Sequence, residues 1–300
     1  MIRRGAIGLA GALAASAVAA AAAGAATPRI SFADFTGDDA DIFTVMPNGQ
    51  DRKRLTTSKD GDFEPDWSPD RRWIVFSRNK AGSPSTKLFK VHPNGKGLND
   101  VPHTSGAESP SWSKDGKLIA YIEHTAKHEA VFTVRADGSH KKQVTSDGYD
   151  AANPAWAPDG KHIVFERKGG LSTIRPDGKG LTELVGKGRQ PDWAPDGKHI
   201  AFVREVKRSG QSQAEALFVV RADGTHAEQL TLRGPLGNCT AQNPDGCIES
   251  NHVPAWSPDG KRIAYDEATS EANLIATIAY PGGKPPRVSD FVSEGFQPAW

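Results

Sequence analysis

The chain has 300 residues, 37% of them hydrophobic and 24% charged, with 37 Lys+Arg against 36 Asp+Glu. Such a chain is globular and has ample material for a core. Its charge balance gives no support to nucleic acid or an anionic membrane surface as a partner.

The first 26 residues, MIRRGAIGLAGALAASAVAAAAAGAA, stand apart from the rest. Arg3 and Arg4 precede an uncharged Ala-rich run that ends in small residues around Ala23-Gly24-Ala25. That order is the one expected of a secretory signal peptide. An uncleaved anchor is the alternative, since about 20 uncharged residues span a bilayer, but alanine is only weakly apolar and the cleavage-like end is clear. Residues 27–300 are then expected to form a single exported domain, periplasmic, cell-envelope or secreted, with no membrane span after signal removal. Losing the leader takes away two arginines and no acids, which leaves the chain close to neutral.

RISFAD (29–34), DIFTVMPNG (41–49) and DRKRLT (51–56) read as three strands separated by turns. Then a unit begins to repeat. Pro-x-Trp occurs at Pro65/Trp67, Pro110/Trp112, Pro154/Trp156, Pro191/Trp193, Pro254/Trp256 and Pro298/Trp300, and three of the five steps are 44 or 45 residues. A period in the forties signals repeated four-stranded blades. After each of the first five tryptophans comes a tight turn (SPDR, SKDG, APDG, APDG, SPDG), in which Pro presets φ while Asp and Gly suit the later positions. A short strand follows (WIVFSR, LIAYIE, HIVFER, HIAFVR, RIAYDE), then a third strand closing in a second turn (LFKVHPNG, VFTVRADG, LSTIRPDG, LFVVRADG and the weaker LIATIAYPGG). A polar fourth strand completes the unit, as in KKQVT, TELV and AEQLT. The expected fold is all-β, a six-bladed β-propeller, with the six tryptophans as packing between blades. The sixth unit holds only an innermost strand, GFQPAW, and the three N-terminal strands supply its missing partners, so the ring is expected to close by a blade shared between the termini.

The only cysteines, Cys239 and Cys247, lie in GNCTAQNPDGCIES. In an exported chain they most simply form a disulfide, which stabilises so short a loop by roughly 2–3 kcal/mol.

The pattern P-x-W-S/A-P-D-G-K-x-I-A/V-F/Y, followed by V-x-R/H-x-D/N-G and L-T, resembles the WD-like propeller repeat of the TolB family over residues 28–300. The resemblance implies an exported six-bladed propeller that binds another protein. It departs in front of the propeller, where the family's α/β domain has no counterpart before the first strand, and so it does not extend to a role in the Tol–Pal envelope system. Similar propellers precede the hydrolase domain of prolyl oligopeptidase-like peptidases, and no such domain is expected here.

In such a ring the residues just before each Pro-x-Trp are expected to rim the central channel: Phe63-Glu64, Glu108-Ser109, Ala152-Asn153, Arg189-Gln190, His252-Val253 and Phe296-Gln297. Convergent polar groups around a pocket form the default binding site, and Glu64, Glu108, Asn153, Arg189, Gln190, His252 and Gln297 are the ligand-binding candidates. Loops on the same face read as polarised. Arg78, Lys80, Lys127, Arg167, Lys168, Lys207 and Arg208 lie over the first four blades, with Asp266, Glu267, Glu271, Asp38, Asp39 and Asp41 over the last two. The long segments 204–216 and 233–252 form a second candidate contact edge.

Known catalytic and metal signatures are missing. Asp60, Asp62, Glu64 and Asp66 alternate in DGDFEPD but lack the Gly and distant Glu of an EF-hand, so they read as a solvated loop. His124 and His128 fall in a hairpin, not on a helix, and no G-x-S-x-G elbow occurs. The chain is therefore expected to be a monomeric protein- or peptide-binding module with no catalytic residue, metal or cofactor. The alternative is a metal-dependent propeller enzyme of lyase or lactonase type, with Ca or Mn held by Glu64, Glu108, Asn153 and His252.

Overall fold

The computed structural model describes residues 28–37, 39–80, 85–146, 148–207, 213–231, 250–268, 273–280 and 290–300. Residues 1–27, Asp38, Glu271, residues 208–212 with Arg208 and residues 232–249 with Cys239 and Cys247 lie outside the described residues.

Among the described residues, twenty-four strands form six four-stranded antiparallel sheets. The first complete blade runs from the channel outward as β4 (Gly61–Trp67), β5 (Ile74–Asn79), β6 (Thr86–Val91) and β7 (Asn99–Asp100). The next is β8 (Ala107–Trp112), β9 (Ile119–His124), β10 (Glu129–Val134) and β11 (Lys142–Gln143). A third comprises β12 (Ala151–Trp156), β13 (Ile163–Arg167), β14 (Gly170–Ile174) and β15 (Thr182–Val185). The fourth comprises β16 (Arg189–Trp193), β17 (His199–Lys207), β18 (Gln213–Arg221) and β19 (Glu228–Gln229), and the fifth β20 (Ser250–Trp256), β21 (Arg262–Ala268), β22 (Asn273–Ala279) and β23 (Asp290–Glu294). In the sixth, β24 (Phe296–Ala299) pairs with β1 (Ile30–Phe35), followed by β2 (Ala40–Val45) and β3 (Lys53–Arg54). The blade shared by the two termini is thus formed, and each inner strand contacts the next around the ring, with β20 returning to β24.

The core is not one mass. Among the described residues, six apolar clusters each join two neighbouring blades. Leu88 of β6 packs with Trp112 and Tyr121 of the following blade, and Leu171 of β14 packs with Ile200 and Phe202 of its successor. All six tryptophans belong to these clusters or pack against them, as their spacing implied. Blade-to-blade burial explains the sequence pattern, because both faces of a middle strand meet apolar neighbours, which favours continuous runs such as IVF and IAY.

Local chemistry fixes the turns. In SPDR the Ser68 hydroxyl donates to Asp70 Oδ1 at 2.7 Å, and the Arg72 amide donates to the same carboxylate at 3.1 Å. The Ser68 hydroxyl holds the Asp70 carboxyl below the usual range. In four blades a threonine after the outer strand has a specific task, since the hydroxyls of Thr56, Thr104, Thr145 and Thr231 accept an amide of the buried strand alongside at 2.9–3.2 Å.

Candidate functional site

Each of the six inner strands carries the same irregularity. The register of β8 against β9 pairs Glu108 with Ile122 and then Ser111 with Ala120, so an extra residue is accommodated between them. Equivalent shifts occur in β4, β12, β16 and β20, and in the pairing of β1 with β24. The residue directly before each proline has a left-handed backbone: Glu64, Ser109, Asn153, Gln190, Val253 and Gln297, with φ between 44° and 54°. Non-glycine residues seldom adopt that region. Six repeats of it at one structural position mark a device of the architecture.

These six residues form the upper rim of a central channel with a cavity volume of about 540 Å3. A chain of hydrogen bonds runs along the rim from blade to blade. Gln297 Oε1 accepts the Glu64 amide at 3.0 Å, and Glu64 Oε2 accepts the Ser109 amide at 2.7 Å. Farther round, Glu166 Oε1 accepts from Asn153 Nδ2 and from the Gln190 amide, and Gln190 Oε1 accepts the Val253 amide at 3.1 Å. Val253 offers no acceptor of its own, so the side-chain relay stops there. Side chains that bridge rigid blades in this way are held in place before any ligand arrives.

Below the rim the wall is built from the Pro-x-Trp segments. The middle residues of these segments are Asp66, Ser111, Ala155, Asp192, Ala255 and Ala299, and all six line the channel. Asp66 Oδ2 accepts the Trp112 amide at 2.6 Å, and Asp192 Oδ2 accepts the Trp256 amide at 2.7 Å. Both carboxylates retain partial exposure, but only to the channel interior. Burial pushes each carboxyl up to about 7, against the opposing pull of the amides that bond it. The charge of Asp66 adds to the rise at Asp192.

The lower end is basic. Arg71 and Lys114 line it beside Pro69, Pro158, Pro195 and Pro258. Arg71 stands where the other four turns have glycine and shares their left-handed backbone, at φ 60° against 66–68° for Gly116, Gly160, Gly197 and Gly260. Its guanidinium lies 3.9 Å from the centre of the Trp67 ring and donates to the Arg29 carbonyl at 2.7 Å. Burial pulls the Arg71 guanidinium down to about 10.

The seven candidates from the sequence divide by a simple rule. Glu64, Asn153, Gln190 and Gln297 directly precede a proline and line the channel. Glu108, Arg189 and His252 lie one position earlier, where alternation along the strand turns them away, and they are not among its lining residues. Glu108 Oε1 lies 3.2 Å from His124 Nε2, and Glu129 lies 3.2 Å from His124 Nδ1. Burial, and then the charge of Glu64, raise the Glu108 carboxyl above its usual range. Arg189 pairs with Glu215, and His252 sits 3.3 Å from Glu215 and 3.5 Å from Asp266. The four residues weighed as a metal set are thus divided among three places. Among the described residues, the one group of three clustered metal-ligating side chains is Glu108, His124 and Glu129, outside the channel.

Two further expectations need correction. The acids of DGDFEPD lie mostly on β4 and not in a solvated loop, with Asp62 buried in a two-pronged pair with Arg78 at 2.6 and 2.8 Å. The polarised loop patches also lose members to the interior, because Arg78, Asp41, Asp266 and Glu267 are buried. Sequence reasoning missed Asp66, Asp192 and Arg71. Their signal was a departure from the repeat, with Asp in the middle of Pro-x-Trp and Arg in place of the turn glycine.

A family model described as the TolB beta propeller domain matches residues 14–179, more than half of the chain. Among characterised proteins, the Protein TolB homolog of Chlorobium luteolum is 25% identical over 125 residues, covering 42% of this chain and 28% of that protein. Dipeptidyl-peptidase 5 of Porphyromonas endodontalis is 31% identical over 119 residues, covering 37% of this chain and 16% of that protein. The matched region thus spans under a third of either relative. The crystal structure of TolB from Acinetobacter baumannii shares the fold with a TM-score of 0.71 at 18% identity, over 91% of this chain and 66% of that one.

Proposed function

The chain belongs to the TolB beta propeller domain family, and we propose that it is a protein- or peptide-binding module that receives its partner at the upper mouth of the channel. The observation that carries this reading is the rim itself. Its polar side chains are fixed by hydrogen bonds across blades and open onto a cavity of about 540 Å3 walled by proline and tryptophan. Rigid aromatic walls with a few oriented polar groups suit an extended segment of another chain. The metal-enzyme alternative is less favoured, because the four ligands named for it are not assembled in one place.

On this reading the leader directs export to the periplasm, the cell envelope or the exterior, and there Cys239 and Cys247 close a disulfide. Among the described residues no helix is long and apolar enough to cross a membrane. The module works as a single chain, since its ring needs no second copy to close.

Affinity capture from cell-envelope extract tests the proposal, with wild type beside Val253→Phe. Val253 donates its backbone amide to the rim but contributes no side-chain acceptor, so the substitution narrows the mouth without removing a rim hydrogen bond. The expected result is a partner captured by wild type and lost by the variant. Capture that the variant does not reduce, or no capture at all, contradicts the reading.

A further inference from the structure

Asp66 and Asp192 are three repeats apart in a ring of six, so they stand on opposite blades and face one cavity. Each commits one carboxylate oxygen to the backbone of the next blade. Closure of the ring does not require this arrangement, because alanine occupies the same position in three blades. Two acids gathered at the waist of one channel oppose ionisation. Arg71 partly offsets Asp66, but the groups acting on Asp192 include no cation.

We propose that the waist of the channel is a subsite for a primary ammonium group on an unbranched chain, the side chain of a lysine in a bound peptide, held between Asp66 and Asp192. The proposal rests on the reading of the channel as a binding site and gives its ligand a chemistry. Four features select that chemistry. A divalent cation calls for more anionic or imidazole donors than two, and the described residues assemble three only outside the channel. A guanidinium prefers both oxygens of one carboxylate, whereas each aspartate already has one engaged. An ammonium donates to a single oxygen on either side. The walls also tolerate a cation, as the stacking of Arg71 on Trp67 demonstrates.

The charges along the channel set the direction of entry. Glu64 lies at the upper rim, the two aspartates at the waist, and Arg71 and Lys114 at the lower end. A cationic tip is attracted from above and repelled from below.

The experiment is ligand-observed NMR titration of the whole chain at pH 8, where both carboxylates are ionised, with Nα-acetyl-lysine-N-methylamide as probe. Nα-acetyl-norleucine-N-methylamide serves as its uncharged counterpart. Two charge-assisted hydrogen bonds support binding of the lysine probe on the order of 1 mM. The double variant Asp66→Asn, Asp192→Asn retains an oxygen for each tryptophan amide and so keeps the fold. It is expected to weaken lysine-probe binding at least tenfold, on the order of 1.4 kcal/mol or more. Asp177→Asn, on an outer turn, is expected to leave binding unchanged. Equal binding of the two probes, equal affinity of the double variant, or no saturable binding overturns the subsite. Partner capture that depends on Val253, combined with no preference for the charged probe, overturns the subsite alone and leaves the binding module standing.

Discussion

Blade interfaces in this ring close in two ways at the channel wall. After β4 and β16, an aspartate reaches across and accepts the tryptophan amide of the next blade. After β12, β20 and β24 the equivalent residue is Ala155, Ala255 or Ala299, which offers no side-chain acceptor. Ser111 is intermediate, accepting the Trp156 amide at 3.3 Å. The apolar clusters behind these positions are similar in kind in both classes. Apolar burial is thus common to blade interfaces with and without a carboxylate.

Apolar burial gives the largest expected effect. Leu88, at an aspartate interface, and Leu171, at an alanine interface, are both fully buried. Leu88→Ala and Leu171→Ala are each expected to cost about 2–5 kcal/mol in urea unfolding. The two costs should agree within about 1 kcal/mol, inside the scatter of such substitutions. A much smaller loss at Leu88 would show that the Asp66 bond holds its interface together and would break the comparison.

A smaller effect sharpens the difference between the two aspartates. Arg71 acts on Asp66 and not on Asp192, so Arg71→Gly should make the two alike. Glycine relieves the left-handed backbone, while the stacking on Trp67 and the hydrogen bond to the Arg29 carbonyl are lost. These effects oppose, and at pH 5 the net change in unfolding free energy should stay within about 1 kcal/mol. At pH 8 the variant should be the less stable partner, because Asp66 then has no cation to offset its charge. Greater stability than wild type at pH 8 would show that Arg71 does not support Asp66.

Much of this architecture is legible in the sequence, because it is local and repeated. Pro-x-Trp, the tight turn and the apolar run identify a blade each time, and GFQPAW lacks partners that only RISFAD and its successors provide. The rim is half legible. Glu108 and Ser109 are adjacent in sequence, yet alternation sends one outward while the bulge turns the other inward, and no composition rule distinguishes them. Position relative to the proline does: Gln190 and Gln297 share it with Glu64 and Asn153, whereas Arg189 and His252 do not. The waist was overlooked because an acid inside a Pro-x-Trp motif looks like ordinary turn chemistry until ring geometry sets Asp66 opposite Asp192.

The central claim is that these two carboxylates are kept at a cost to the fold, and the most direct test is urea unfolding at pH 5 and pH 8. Wild type is compared with Asp66→Asn, Asp192→Asn. A carboxylate raised on folding from 3.8 to about 7 favours the fold while both states hold the proton. That advantage is lost as pH rises from about 4 through 7. The charged and titratable groups nearby in the channel are Glu64, Arg71 and Lys114, and all three are common to both proteins. Wild type should therefore lose stability between pH 5 and 8 relative to the variant, by on the order of a few kcal/mol. At pH 8 the variant should be the more stable protein. A variant less stable than wild type at pH 8 would contradict the account and return both aspartates to a structural role.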